Sequence, residues 1–508
     1  MDTFSSKETV HVEAVVKDSA RLLLMPGNLE SLQSDIVEAL SSQTAFQNGL
    51  IPLGTSPLAS VLESLRVSDL PTGFVVDAAT AELCVHPFVL FHGDPEKEYL
   101  EGDEEVCASE QWSLPHAAIV PLWDSIIADE NVKARLLGYC ASAMQFAARC
   151  VDPTIISWNR MALLYGPPGT GKTTLCKALA QKVFVQSTGC YDSGVLVEIN
   201  THSLFSRYFS ESGKLVLKLF EYVDELCRDP RAFVAVLIDE VESLVMTRAA
   251  GGGEPADAVR VVNAVLTCLD ALKRRPNALV LCTSNLAEGI DPAFRDRCDL
   301  AMLIDNPSWA ARAKILSSCL QELVGRDFIA TPAPGESIIA QLSGSRPVAQ
   351  DFTEVLRLSA GLSGRQLRKS PLQAHAFFIQ RPRAPLADFV GALRRIMEER
   401  VGAPVGTEVE SADTATLLLP ETANKTLRPT PPAARASPAK PSARVEKASG
   451  GAGVTGGYGM YNLRLQAFMQ DVTLRGLPLP SASPLQRAMH VDGNTSGSDS
   501  DGELDGQE

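Results

Sequence analysis

No stretch of this sequence approaches the roughly 18 consecutive apolar residues of a transmembrane helix. Its first residues also lack the basic, apolar, small-residue succession of a secretory signal. The chain is therefore expected to be soluble and intracellular, in nucleus or cytoplasm without distinction, and to have no membrane partner. Paired cysteines are missing too. Eleven cysteines are scattered singly between Cys84 and Cys319, never as CxxC, which points to reduced thiols rather than a disulfide framework. Cys84, His86 and His92 lie close together, but the apolar, strand-like run around them reads as core or edge packing rather than a metal site. Excess positive charge is absent as well. The formal net charge of −15 opposes non-specific nucleic-acid binding, and no direct nucleic-acid contact is expected.

What is present fits a globular protein carrying some disorder, with 45% hydrophobic and 21% charged residues. A chain of 508 residues exceeds one hydrophobic core, so about two to four units are expected. Residues 1–105 alternate short apolar runs, such as Val10-His11-Val12-Glu13-Ala14-Val15-Val16, with turn signals, predicting a small α+β domain. The acidic stretch from Asp94 to Glu110 reads as a solvated linker or loop. Residues 106–150 read as linker and helices, with Trp123, Ile126, Ile127, Val132, Leu136 and Leu137 at near-helical spacing. Over 151–306 apolar strand candidates alternate with amphipathic helices, the α/β pattern of a parallel sheet sandwiched by helices. Residues 307–400 are expected to form a smaller helical lobe. Beyond Val401, Pro, Ala, Thr, Ser and Gly dominate, and 401–508 is expected to be a low-complexity, disordered tail. An apolar island from Tyr458 to Val472 reads equally as a partner-binding helix or a linker.

The run Gly166-Pro167-Pro168-Gly169-Thr170-Gly171-Lys172-Thr173 matches GxxxxGK[ST] at every position. An apolar run, Met161 to Tyr165, supplies the strand before it, and Thr174 opens the helix after it. Glycines let the loop turn its backbone N–H groups toward phosphate oxygens, and the helix N-terminus adds partial positive charge. Lys172 can then reach the β- and γ-phosphates while Thr173 holds Mg²⁺. Downstream, Phe233-Val234-Ala235-Val236-Leu237-Ile238 reads as a buried strand ending in Asp239-Glu240. A carboxylate at that end can fix the Mg²⁺ water shell, and the next can orient and deprotonate an attacking water. A third strand, Ala278 to Ser284, ends at Asn285, whose amide can position that water or touch the γ-phosphate. The only Asn-Lys pair, Asn424-Lys425, lacks the Asp of a guanine-reading NKxD motif, which favours ATP over GTP.

Strand–P-loop, strand–Asp-Glu and strand–Thr-Ser-Asn, followed by a helical lobe, resemble the AAA+ superfamily. Leu122-Trp123-Asp124-Ser125, Ile156-Ser157-Trp158-Asn159-Arg160, Glu198-Ile199-Asn200-Thr201-His202-Ser203 and Gly361-Leu362-Ser363-Gly364-Arg365 narrow the likeness. Over about 112–400 the chain is similar to the pachytene checkpoint protein 2 family, also called the thyroid receptor-interacting protein thirteen family. The N-terminal hundred residues share only a faint likeness, and the long tail lies outside the family pattern.

The resemblance implies a homohexameric ATPase whose N-terminal domain binds substrate and adaptor. Its partners would be HORMA-domain proteins, through a HORMA-like adaptor, converted between closed and open states. The setting implied is meiotic chromosome-axis and spindle-checkpoint control, on chromosomes or kinetochores. The resemblance also implies nucleotide contacts from Gly166 to Thr174, with Mg²⁺ held by Thr173 and Asp239 and water activated by Glu240. Asn285 would be the first sensor, and Arg365 the second, reaching the γ-phosphate from the lid. Arg297 would be the arginine lent to a neighbouring subunit, with Arg295 as competitor. Arg207-Tyr208-Phe209 falls at the aromatic pore loop, Tyr208 standing where tryptophan is usual, and Gly251-Gly252-Gly253-Glu254-Pro255 at a second pore loop. Two other readings stay open: a nucleotide-loaded scaffold, and a DNA-handling AAA+ ATPase of the loader type.

Overall fold

The computed structural model describes residues 8–402 apart from 55, 71–74, 79, 101–105, 129–130, 188, 202–211, 246–255, 287–289, 331–337 and 343–346. The pore-loop residues Arg207, Tyr208 and Phe209, the run Gly251 to Pro255, and the tail beyond 402 lie outside the described residues.

The N-terminal elements are β1 (Glu8–Val16), α1 (Pro26–Leu40), β2 (Ala45–Phe46), β3 (Gly49–Ile51), β4 (Leu62–Ser68), β5 (Val76–Asp77) and β6 (Ala81–Phe88). Four of these strands form a sheet in the order β3-β4-β1-β6, with β1 antiparallel to β4 and parallel to β6. Alternation along β1 sends Val10, Val12, Ala14 and Val16 into a core with Leu32, Ile36 and Leu40 of α1. The same alternation leaves His11 and Glu13 on the opposite face, which turns out to be the working one.

The second unit is larger. It comprises β7 (Glu96–Leu100), β8 (Val106–Leu114), α2 (Val120–Ser125), α3 (Val132–Ala148), β9 (Met161–Tyr165), α4 (Lys172–Gln186) and β10 (Ser193–Ile199). It continues through α5 (Ser212–Leu226), β11 (Ala232–Ile238), α6 (Glu242–Val245), α7 (Ala256–Leu272), β12 (Ala278–Ser284), α8 (Pro292–Arg295) and β13 (Leu300–Leu303). Its seven strands run β13-β9-β12-β11-β10-β8-β7. The first five are parallel; β8 joins antiparallel to β10, and β7 antiparallel to β8. In the central strand β11, Val234, Val236 and Ile238 pack into one core layer, and Phe233, Ala235 and Leu237 into the other. A strand covered on both faces reads as an unbroken apolar run, which is why this sheet was visible in the sequence.

The acidic stretch from Asp94 to Glu110 departs from expectation. It is not merely a solvated linker, because β7 lies within it and β8 begins in it. Trp112 likewise sits in a strand rather than a helix. The physical reason is position. β7 is the edge strand, whose charges discourage further pairing, and β8 beside it is fully buried only in part, as at Ala108 and Ser109, so polar residues remain at its other positions.

The lobe that follows comprises α9 (Trp309–Gly325), β14 (Ile329–Ala330), α10 (Ile338–Gln341), α11 (Pro347–Leu358), α12 (Gly364–Ala374), β15 (Ala384–Pro385) and α13 (Leu386–Gly402). It carries its own core around Leu316, Leu320, Val355, Leu367, Phe389 and Leu393.

Charged contacts tie the N-terminal sheet to the helices of the seven-stranded sheet. Lys182 on α4 reaches Glu13 of β1 at 2.5 Å and Asp69 at 3.5 Å, its side chain only 9% exposed. Gln186, one turn on, donates to the other Asp69 oxygen at 3.0 Å. Arg66 of β4 pairs with Asp124 of α2 nearby. Replacing Lys182 by Ala strands two sheltered carboxylates, a loss of about 3–5 kcal/mol for a buried pair broken on one side. The Lys182→Ala protein should therefore melt earlier and exchange amide protons faster along β1 and β4. Unchanged melting and exchange would show that this contact does not hold the two sheets together.

Candidate functional site

Three loops meet at the carboxyl ends of β9, β11 and β12, which are neighbours in the sheet. The loop after β9 is Gly166 to Gly171. Gly166 has a φ of +141°, and a Cβ there would lie 2.3 Å from the Ile304 carbonyl oxygen, so only glycine fits. Lys172 opens α4 and is 5% exposed. Its ammonium donates to Gly166 O at 2.9 Å, Pro167 O at 2.8 Å and Asn285 Oδ1 at 2.9 Å, using all three of its donors. Burial pushes this ammonium below its ordinary value, while the charges of Glu242, Asp239 and Glu240 pull the other way. An anionic phosphate oxygen is a stronger acceptor than a neutral carbonyl, so a phosphate can compete for this lysine.

The next loop fixes two carboxylates. Asp239 Oδ1 accepts from the Thr173 hydroxyl at 2.7 Å and from the Thr283 hydroxyl, while its backbone carbonyl accepts from Thr201 at 3.0 Å. Glu240 adopts a left-handed backbone, φ +52°, a conformation that costs a side-chain-bearing residue about 1–3 kcal/mol. Its N–H donates to Thr283 Oγ1 at 3.1 Å, which holds the strained turn. Asn285, ending β12, lies between the two loops. Its amide oxygen accepts from Lys172, and its amide nitrogen donates to Glu240 Oε1 at 3.4 Å. Its backbone N–H donates to Glu242 at 3.0 Å, while the other Glu242 oxygen is buried without a hydrogen bond among the described residues. The donors around Thr173 and Asp239 are all oxygen, the set that suits a hard divalent ion such as Mg²⁺.

The lid lobe closes on the loop from the other side. Ser363 and Gln366 form a capping box that starts α12. That cap aims the helix N-terminus at the P-loop, where the Arg365 N–H donates to Gly169 O at 3.0 Å. Gly169, at φ +79°, has no room for a side chain. An added Cβ would sit 3.0 Å from both Arg365 Cβ and Ser363 Oγ.

The candidate trans-acting arginines behave differently from one another. Arg297 donates to both oxygens of Asp270, Nε at 2.9 Å and Nη2 at 2.7 Å, and to Ala293 O at 2.7 Å. The paired guanidinium holds the Asp270 carboxyl below its usual range. Arg295 instead lies 5.6 Å above the ring of Tyr165, at the end of β9.

The structure thus brings Lys172, Thr173, Asp239, Glu240 and Asn285 into one hydrogen-bonded group and sets Arg365 beside it. Thr283, Glu242 and Asp270 were not singled out from the sequence. Thr283 and Glu242 lie one to two residues from motif positions, whereas Asp270 carries no spacing signal at all.

A parallel sheet in this order, with a P-loop, an Asp-Glu strand end and a helical lid resting on the loop, defines an ATPase of the AAA+ class. Two family models match: the ATPase family associated with various cellular activities over 162–306, and the TRIP13-like AAA+ ATPase lid C-terminal domain over 308–401. Pachytene checkpoint protein 2 homolog of Xenopus tropicalis is 42% identical, and that of Mus musculus 45%, each match covering 77% of this chain and 93% of the relative. The solved structure of C. elegans PCH-2 superposes with a TM-score of 0.65 at 30% identity, covering 78% of this chain and 100% of that one. The chain belongs to the pachytene checkpoint protein 2 family and is an ATPase.

Gly166→Ala gives a direct check of the loop geometry. The collision with the Ile304 carbonyl should push the loop out of shape and weaken binding of a fluorescent ATP analogue, while leaving the helical lobe folded. Unaltered binding would contradict the loop described above.

Proposed function

We propose that this ATPase works as a homohexameric ring that converts HORMA-domain proteins between closed and open states, through a HORMA-like adaptor. Membership of the pachytene checkpoint protein 2 family supports the reading. The observation that carries its chemistry is the Asn285 amide, which joins the Lys172 ammonium to the Glu240 carboxylate. Binding at one end of this bridge is felt at the other.

In this reading the Gly166–Thr174 loop surrounds the phosphates of ATP, and Lys172 turns from loop carbonyls to phosphate oxygens. Thr173 and Asp239 hold Mg²⁺, which when bound neutralises charge on the phosphates. Glu240 takes a proton from the attacking water, a contribution of about 10²- to 10⁴-fold. Asn285 orients that water or the γ-phosphate. Arg365 follows the γ-phosphate from the lid, so its loss on hydrolysis is transmitted to the helical lobe. Arg297 serves the neighbouring subunit's pocket, and the bidentate contact with Asp270 fixes the orientation of its guanidinium. Tyr208, with Arg207 and Phe209, grips the client polypeptide in the central channel. Clients are met in both nucleus and cytoplasm, on chromosomes or kinetochores.

Glu240→Gln removes the base while keeping its size and its hydrogen bond to Asn285. It should retain ATP, slow turnover by about 10²- to 10⁴-fold, and show tighter nucleotide-dependent assembly by light scattering. Affinity capture with this form in ATP should retain HORMA-domain proteins. ATP turnover as fast as wild type would remove Glu240 from the mechanism, and a trapped ring that holds no such client would remove the substrate assignment.

A further inference from the structure

The face of the N-terminal sheet opposite α1 carries a side-chain cluster that ATP hydrolysis does not use. In the parallel pairing of β1 with β6, His11 lies directly across from Cys84, and Glu13 across from His86. Because strand side chains alternate, His11, Cys84 and His86 all project from one face. The His11 Nδ1 and His86 Nε2 atoms are 3.0 Å apart and the rings are stacked, with centroids at 5.2 Å. With the Cys84 sulfur, one ligand atom from each residue falls within 4.8 Å of the other two. His92, adjacent in sequence and exposed, takes no part.

The geometry points to a zinc-class divalent cation bound by His11, Cys84 and His86, with water completing a tetrahedron. Two imidazoles and one thiolate form the borderline-soft donor set that zinc favours over Mg²⁺. The three donor atoms already lie within 4.8 Å of one another, so enclosing an ion requires the two rings to turn their facing nitrogens from each other toward it. Burial pushes His86 down to about 4 and lowers His11 as well, a direction that favours the neutral rings. Burial raises the Cys84 thiol, so the metal must displace its proton, and binding releases one proton per ion. The proton now shared between the two rings moves to the outward nitrogen of the ring that carries it, with no net release.

The surroundings supply charge and a purpose. Asp69 stands close enough for its charge to favour a cation at both rings, against the opposing charge of Lys182 on α4, with which Asp69 and Glu13 pair. An ion here pins β1 to β6 at the seam where the N-terminal sheet meets the ATPase helices, a structural rather than catalytic position.

Purified full-length protein, stripped with a chelator and free of nucleotide, should be titrated with Co²⁺ and then Zn²⁺. The wild type should take up one Co²⁺ with tetrahedral visible bands and a thiolate-to-cobalt charge-transfer band, both erased by Zn²⁺. Cys84→Ser should lose the charge-transfer band despite the ten other cysteines, and His11→Gln should weaken binding at least as much as the ~10- to 100-fold seen for outer-shell changes. Both variants should keep wild-type ATP turnover, which certifies their fold. Absence of the band in the wild type overturns the site, as does an unchanged band in either variant that still hydrolyses ATP.

Discussion

The Asn285 side chain is the contact on which the rest of the pocket depends. An amide can accept from an ammonium through its oxygen and donate to a carboxylate through its nitrogen, and here it does both, to Lys172 and Glu240. Without it, the Lys172 ammonium would lose one of its three acceptors and the Glu240 carboxylate a donor. The parallel sheet makes the arrangement possible. Because β9, β12 and β11 are consecutive in the sheet, the P-loop, Asn285 and the two carboxylates leave the same edge side by side. Thr283 adds rigidity by binding both Asp239 and the Glu240 N–H.

Around this centre, two mobile responsibilities are assigned to fixed contacts. The lid reports on the loop through backbone, not side chain, since Arg365 N–H meets Gly169 O while its guanidinium remains exposed. That leaves the charged head available for phosphate. At the opposite flank, the N-terminal sheet leans on α4, the same helix that Lys172 opens. One helix therefore carries the P-loop lysine at its start and the anchor of the N-terminal sheet near its end, a direct mechanical route between the P-loop and the N-terminal sheet.

Much of this was legible in the sequence, and the reasons are physical. A doubly covered strand such as β11 cannot hide its apolar run, and its end marks Asp239 and Glu240. The P-loop is specified by glycines whose backbone angles or close neighbours forbid other residues. The edge strand β7 and its neighbour β8 escaped because partial exposure permits the acidic composition of a linker. Asp270 escaped because its partnership with Arg297 spans 27 residues and follows no periodicity. His11 was overlooked beside Cys84 and His86 for the same reason. Parallel pairing of β1 and β6 sets His11 against Cys84 and brings it to His86, 75 residues on, whereas proximity in sequence suggested His92 instead.

The most direct measurement is single-turnover hydrolysis by Asn285→Leu, which keeps side-chain bulk but removes both hydrogen bonds. If the amide couples lysine to base, ATP affinity should stay within a few-fold while the chemical step slows by about 10²- to 10³-fold, as for loss of one preorganised donor. Hydrolysis at the wild-type rate, or loss of binding and chemistry in equal measure, would contradict the account.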